Sequence, residues 1–221
     1  MRLQRTFASW VLVGGLLSAP AILAGCGSSQ TTSQGSETHT LPMGDTAKAD
    51  HAMTMDLGPK DAEFDLRFID GMILHHQGAI AMAEAVLQNS QRAEMKQLAE
   101  AVIGAQQAET DQMQQWRQAW YPDAGAELVM YDAQMGHTMV MTSEMQTAMM
   151  MSGDLGKADA EFDLRFINAM IPHHEGALAM AEQALEKSER PELRQVAQNI
   201  LDTQQAEIDQ MQQWRQAWYA Q

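Results

Sequence analysis

Cysteine is almost absent: Cys26 is the only one among 221 residues. A lone thiol supports no intramolecular disulfide, no Cys-x-x-Cys redox pair and no multi-thiolate zinc site. Cations are scarce as well, with 14 Lys and Arg against 29 Asp and Glu and a formal net charge of −15. That balance repels phosphate backbones and anionic bilayers, which argues against a nucleic-acid partner, and it concentrates cations at the surface. Also missing are a Gly-rich phosphate loop, a Gly-x-Ser-x-Gly elbow and a His-Glu-x-x-His helix, so the common hydrolase and nucleotide-binding signatures are not found. What the chain does have is methionine. There are 19 Met against 5 Phe, a sulfur content that ordinary core packing does not demand.

Residues 1–25 read as a removable leader. Arg2 and Arg5 give a basic start, and Trp10 to Leu23 is apolar but interrupted by Gly14, Gly15 and Pro20, too short and broken to span a bilayer. Leu23-Ala24-Gly25-Cys26 resembles a bacterial lipobox. Cleavage before Cys26 would lipidate its sulfur and tether the mature chain to a membrane, on the periplasmic or extracytoplasmic side. A plain secretory leader with an incidental cysteine is the alternative, and both imply export. Lipidation would use up the only thiol, leaving imidazole and thioether as the soft metal ligands. Residues 26–60, rich in Gly, Ser, Thr and Gln, are expected to form a flexible tether. Its His39, Met43 and His51-Ala52-Met53-Thr54-Met55 either gather Cu(I) or simply belong to a polar tail.

The remainder, 61–221, is dominated by a repeat. Aligned without gaps, 61–121 and 159–219 agree at about two-thirds of positions, as expected for one supersecondary unit used twice. Within the first copy, Phe68, Met72, Ala79, Met82 and Val86 recur at helical spacing, predicting a helix from Asp61 to Asn89. After the Asn89-Ser90-Gln91 break, Leu98, Val102, Ala105, Met113, Trp116 and Trp120 predict a second helix from Arg92 to Trp120, ended by Tyr121-Pro122. The second copy repeats this plan, with Pro191 suited to the first turn of its later helix. Helices of about 28 residues are roughly 42 Å long. Two such hairpins cover their apolar stripes by packing together, so the fold class is all-α, a four-helix bundle. The connector 122–158 shows helical spacing from Ala126 to Met151, with Met135, Met139, Met141, Met145 and Met149, and predicts a crossover helix or partly ordered arm. Its methionines either pack on the bundle or collect metal.

Hairpin register locates the chemistry. With the turn centred near residues 90–91, Met72, His75, His76, Gln106, Glu109 and Met113 are expected to converge, as are Met170, His173, His174, Gln204, Glu207 and Met211. Each buried imidazole, carboxylate and amide must satisfy another group or an ion. A His–Glu pair bridging a helical seam is also a common structural device. Duplicated His pairs with methionines one turn away favour a soft to borderline metal: Cu(I) or Ag(I), with Cu(II) possible through imidazole and carboxylate. Pro172, where the first copy has Leu74, predicts a kink beside His173 and a more open second site.

The residues Phe-x-x-x-Met-Ile-x-His-His-x-Gly-Ala-x-x-Met-Ala, at Phe68–Ala83 and Phe166–Ala181, are each followed by Gln-x-x-Glu-x-x-x-Met. This double pattern resembles domain-of-unknown-function family 305, the CopM-like proteins. The resemblance implies a ferritin-like four-helix bundle, export, and copper binding linked to copper tolerance in some members. Carried over by position, it implies metal-binding roles for Met72, His75, His76 and Met82, and for Met170, His173, His174 and Met180. Neither His pair has a Glu three residues before it, so the di-iron carboxylate oxidases built on similar bundles are a poor match and no enzymatic activity is expected. The expectation is therefore a lipid-anchored, exported copper-binding protein without organic cofactor, acting in sequestration, handover or copper tolerance. The alternative is a helical interaction module whose His pairs are structural.

Overall fold

A computed structural model describes residues 55–220, all within the unit Pro42–Gln221. The leader, Cys26 and the tether's His39, Met43, His51 and Met53 lie outside the described residues. The elements run α1 Phe64–Asn89, α2 Ala93–Trp120, β1 Val129–Asp132, β2 His137–Val140, α3 Ser143–Met150, α4 Phe162–Lys187 and α5 Pro191–Tyr219. Helices α1 and α2 form one hairpin, α4 and α5 the other, and α1 packs against α4 to make the bundle. The chain is thus mostly α, as its periodicity predicts. Among the described residues no helix is long and apolar enough to cross a membrane.

Each hairpin turn is built the same way. Ser90 Oγ accepts from Arg92 N at 3.1 Å and Ser188 Oγ from Arg190 N at 3.2 Å, a side-chain turn that stops one helix and starts the next. The turn arginine then reaches across the bundle. Arg92 meets Asp163 and lies over the Trp218 ring at 4.2 Å, while Arg190 meets Asp65 and lies over Trp120, also at 4.2 Å. Behind each arginine the indoles stack, Trp116 on Trp120 and Trp214 on Trp218. The two hairpins therefore clasp each other through a pair of equivalent contacts.

The core divides in a way the repeat alone does not announce. Met72 and Met113 of the first copy share an apolar cluster with Met180, Ala181 and Ala184 of the second. Met82 and Ala83 of the first copy sit instead with Phe166, Met170 and Met211 of the second. α1 and α4 thus run past one another, each placing its later half against the other's earlier half.

The connector differs from the predicted crossover helix. Only Ser143–Met150 is helical, and 129–140 is an antiparallel hairpin with Val129 opposite Val140 and Asp132 opposite His137. Its turn is fixed by the Asp132 carboxylate, which accepts from Gln134 N and Met135 N, and by Gly136 in the left-handed region at φ 72°. This hairpin is pinned to α1 by a buried charge. Asp70, 0% exposed, accepts from Arg117 Nε at 2.6 Å and from Val129 N at 3.0 Å, and Arg117 also donates to the carbonyls of Gly125 and Glu127. Burial outweighs the arginine and raises the Asp70 carboxyl from its ordinary range.

The tether does not extend to residue 60. Met55 and Leu57 are buried in the first apolar cluster, and Arg67 holds this segment by donating from Nε to Leu57 O at 2.7 Å and from Nη2 to Pro59 O at 2.8 Å. Arg165 does the same for the end of the connector, donating to Leu155 O and Lys157 O, both at 2.6 Å. The repeat therefore begins earlier than Asp61. Asp56-Leu57-Gly58 corresponds to Asp154-Leu155-Gly156, each Asp accepting from its Gly N, and both glycines have positive φ, 76° and 73°.

Replacing Asp70 with Ala leaves Arg117 half-satisfied and releases Val129 N, so a loss of about 3 kcal/mol is expected. Urea unfolding is the measurement, and a loss below about 1 kcal/mol, within the range of exposed pairs, would show that the pair does not anchor the connector.

Candidate metal centre

His75 and His76 are adjacent on α1, and both are 0% exposed, as are His173 and His174 on α4. Adjacent helical residues point about 100° apart, so the two members of each pair face different neighbours. His76 turns inside its own hairpin, where its Nε2 lies 2.7 Å from Glu109 Oε2, and His174 Nε2 lies 2.8 Å from Glu207 Oε2. His75 and His173 turn the other way and meet across the α1–α4 seam, ring centroids 3.8 Å apart and tilted by 46°.

The expected sixfold convergence is thus only partly realised. Register brings His76 to Glu109 and His174 to Glu207, but His75 and His173 join each other instead of their own carboxylates. Gln106 and Gln204 are buried, yet their Oε1 atoms bond to none of these groups. Met72 and Met113 share one cluster and Met170 and Met211 the other, while Met82 and Met180 have exchanged sides. Nor is the second copy more open. α4 runs unbroken through Pro172, and Pro172 and Asn168 are both exposed, where water can serve a backbone group that loses its helical partner to a proline. The flanking glutamates are alike too, 17% and 15% exposed.

Hydrogen bonding fixes which nitrogens are free. Carboxylates only accept, so His76 and His174 each carry a proton on Nε2, and both Nδ1 atoms lack a partner. A carboxylate behind an imidazole is the usual support for a metal-binding histidine, fixing its tautomer and raising its basicity. His173 Nε2 donates to Met150 O at 3.1 Å, again freeing Nδ1, while neither nitrogen of His75 has a partner. Among the described residues no three His, Cys, Asp or Glu side chains come together so as to hold a metal ion. Any further ligands must come from other chemistry, and thioether sulfur is abundant. Met55, Met72, Met113, Met141, Met149 and Met180 are buried in the cluster on one side of the seam, with Met150 and Met151 at its edge. Spacing does not place Met150 O, Met151 and Met55 in the centre; they lie outside both helical copies and reach it through the path of the connector and of the segment before α1.

Burial keeps the seam pair, His75 and His173, uncharged. His75 is held well below its ordinary value first by desolvation, then by the neighbouring His173. His173 is pushed down to about 3 by burial and by His174, against the opposing bond to Met150 O. Neutral imidazole is the form that binds metal.

The fold and site define a helical-bundle protein with a buried imidazole seam bordered by thioethers. The description "Domain of unknown function (DUF305)" matches residues 22–117 and 65–215, and the chain belongs to this family. Among solved structures, CopM in its Cu(II)-bound form is 39% identical with a TM-score of 0.56, over 70% of this chain and 97% of that one. CopM in its Cu(I)-bound form is 36% identical with a TM-score of 0.54, at the same coverage. A DUF305 fragment from Deinococcus radiodurans is 26% identical with a TM-score of 0.54, over 70% of this chain and 95% of the fragment. A curated relative, Uncharacterized protein L153 of Acanthamoeba polyphaga mimivirus, is 37% identical over 49 residues, 22% of this chain and 32% of its own length.

The lowered imidazoles set a pH dependence. Unfolded, His75 and His173 take up protons near pH 6.5, whereas folded they resist until much lower pH. Their contribution is therefore intact above about 6.5 and lost as pH falls below it, by up to about 1.4 kcal/mol per unit for each residue. Urea midpoints compared at pH about 7.5 and about 5 should fall more steeply for wild type than for a His75→Leu/His173→Leu variant; equal slopes would contradict this burial effect.

Proposed function

We propose that this protein binds Cu(I), with Ag(I) as its close mimic, and acts in sequestering copper or handing it on outside the cytoplasm, as a binding protein without catalytic activity. The observation that carries the reading is four buried imidazoles whose Nδ1 atoms all lack partners, two of them backed by glutamates. Unpaired buried nitrogens are unfavourable unless something else satisfies them. A soft monovalent ion suits a site with few ligands, all imidazole or thioether. Structures named for CopM carrying Cu(II), Cu(I) and Ag support the same reading for this relative.

Export and lipid attachment at Cys26 belong to the proposal through the leader and its Leu-Ala-Gly-Cys ending. The net charge of −15 would raise the local concentration of cations around the bundle. Any copper drawn in would meet thioethers, which cannot be lost to disulfides in an oxidising compartment.

Titration of the purified chain with Cu(I) against a chelating competitor is expected to show tight binding. Changing His75, His76, His173 and His174 together to Ala should abolish it. Undiminished copper binding by that variant, with its helical circular dichroism retained, would favour a helical interaction module with structural histidines.

A further inference from the structure

Two glycines stand at equivalent places beside the imidazole seam, Gly78 on α1 and Gly176 on α4, each one turn beyond its His pair. A Cβ at Gly78 would fall 1.7 Å from Met150 O. The connector's backbone therefore fills that space, and the same carbonyl accepts from His173 Nε2 at 3.1 Å. At Gly176 the equivalent position is bordered differently. A Cβ there would meet His75 Nε2 at 3.1 Å, Met151 Sδ at 3.5 Å and Met55 Cε at 3.6 Å. One notch is closed by a peptide oxygen; the other is lined by an unpaired imidazole nitrogen and two thioether side chains.

Resting on the copper-binding reading above, we propose that the notch over Gly176 is a seat for a soft monovalent cation, held by His75 Nε2 and Met151 Sδ with the Met55 thioether beside it. The two nitrogens of His75 have no hydrogen-bond partner, so its lone pair is available on Nε2. His173 is the pseudo-equivalent residue, but its Nε2 carries a proton directed at Met150 O and offers no lone pair there. The seat is consequently single and asymmetric, although the helices that frame it are duplicated. Its sulfur ligand and its thioether neighbour both come from outside the helical copies, Met151 from the residue just after α3 and Met55, whose methyl group borders the notch, from the segment before α1. Met151 adopts a left-handed conformation, φ 46° and ψ 22°, uncommon for a residue with a side chain. That bend lets one corner of the chain present a carbonyl to His173 and, one residue later, a thioether to the Gly176 notch. A thioether and a neutral imidazole make a soft to borderline pair that favours Cu(I) and Ag(I) over zinc or calcium. Because a neutral imidazole has one lone pair, an ion on Nε2 leaves Nδ1 protonated. His75 therefore serves either this seat or an ion on its Nδ1 side, as an acceptor between two positions would.

The test uses the full chain and Cu(I) itself. Met151→Leu keeps the side chain's bulk and removes its sulfur, Gly176→Ala puts a methyl group into the notch, and Met145→Leu is a control on α3. Competition titration should show Cu(I) binding weakened roughly ten-fold or more by Met151→Leu and by Gly176→Ala, as losses of metal-organising groups do, with Met145→Leu unchanged. X-ray absorption at one equivalent of Cu(I) should show a sulfur neighbour in wild type that is diminished in Met151→Leu. Thermal melts of the metal-free proteins check folding, and Met151→Leu decides the matter if Gly176→Ala fails to fold. Wild-type affinity and unchanged sulfur scattering in Met151→Leu, alongside lost binding in the four-histidine variant, would overturn the seat while leaving the copper reading in place. Retained binding in the four-histidine variant would overturn the seat and, with it, the imidazole basis of the copper reading.

Discussion

Where α1 crosses α4, two imidazoles lie ring against ring inside an apolar core, His75 and His173, 3.8 Å apart and fully buried. Neither can be charged without leaving an unscreened cation beside another histidine, so burial fixes them as neutral bases. Everything else around the seam follows from accommodating them. His76 and His174 are turned to the glutamates inside their own hairpins, the connector passes over Gly78 to bring a carbonyl to His173, and Gly176 leaves a notch beside His75. Such a crossing is an expensive arrangement for stability alone, since the Nδ1 atoms of all four rings lack hydrogen bonds. Its chemistry makes sense as a ligand field.

The two hairpins share about two-thirds of their sequence, yet the molecule is not symmetric. Asp70 grips Arg117 and the β-hairpin, while its counterpart Asn168 makes only a 3.4 Å contact with Arg215. The aspartate stands on the hairpin along which the connector lies. Once it lies there, Met141 and Met149 enter the first cluster and Met150 and Met151 reach its edge, leaving that side of the seam much richer in sulfur than the other. Duplication supplied the imidazoles twice, and the connector then made the surroundings of the two copies unequal.

Much of the scaffold was legible in the residues. Apolar spacing located all four long helices to within about three residues at each end, Pro191 began its helix, and register grouped His76 with Glu109 and His174 with Glu207, although it set each histidine level with the glutamine one turn earlier. The same register argument failed for His75 and His173 because it treated neighbours in sequence as neighbours in direction, although consecutive helical positions diverge by about 100°. It also treated each repeat as closed, whereas Met82 and Met180 pack in the opposite copy's cluster. The connector misled for another reason. Methionines four apart fit a helix, but Val129, Tyr131 and Val140 with an Asp132–Gly136 turn between them are a hairpin signal that the sulfur pattern obscured. The early start of the repeat was present in plain sight as Asp-Leu-Gly at 56–58 and 154–156, too short to stand out without knowing that both leucines are buried. What no spacing argument reaches is the meeting of Met55 and Met151 at Gly176, which depends on the folded path of segments far apart in the chain.

The turn arginines carry an implication for symmetry. Arg92 reaches Asp163 and Trp218 of the opposite hairpin, and Arg190 reaches Asp65 and Trp120. Swapping the labels of the two hairpins turns one set of contacts into the other. A single hairpin joined to its own twin across a dyad would therefore form both clasps and bring its first histidine against its mate's, with no linker at all. The present chain thus holds within itself the twofold relation of a homodimer, broken where Asp70 faces the connector and Asn168 does not.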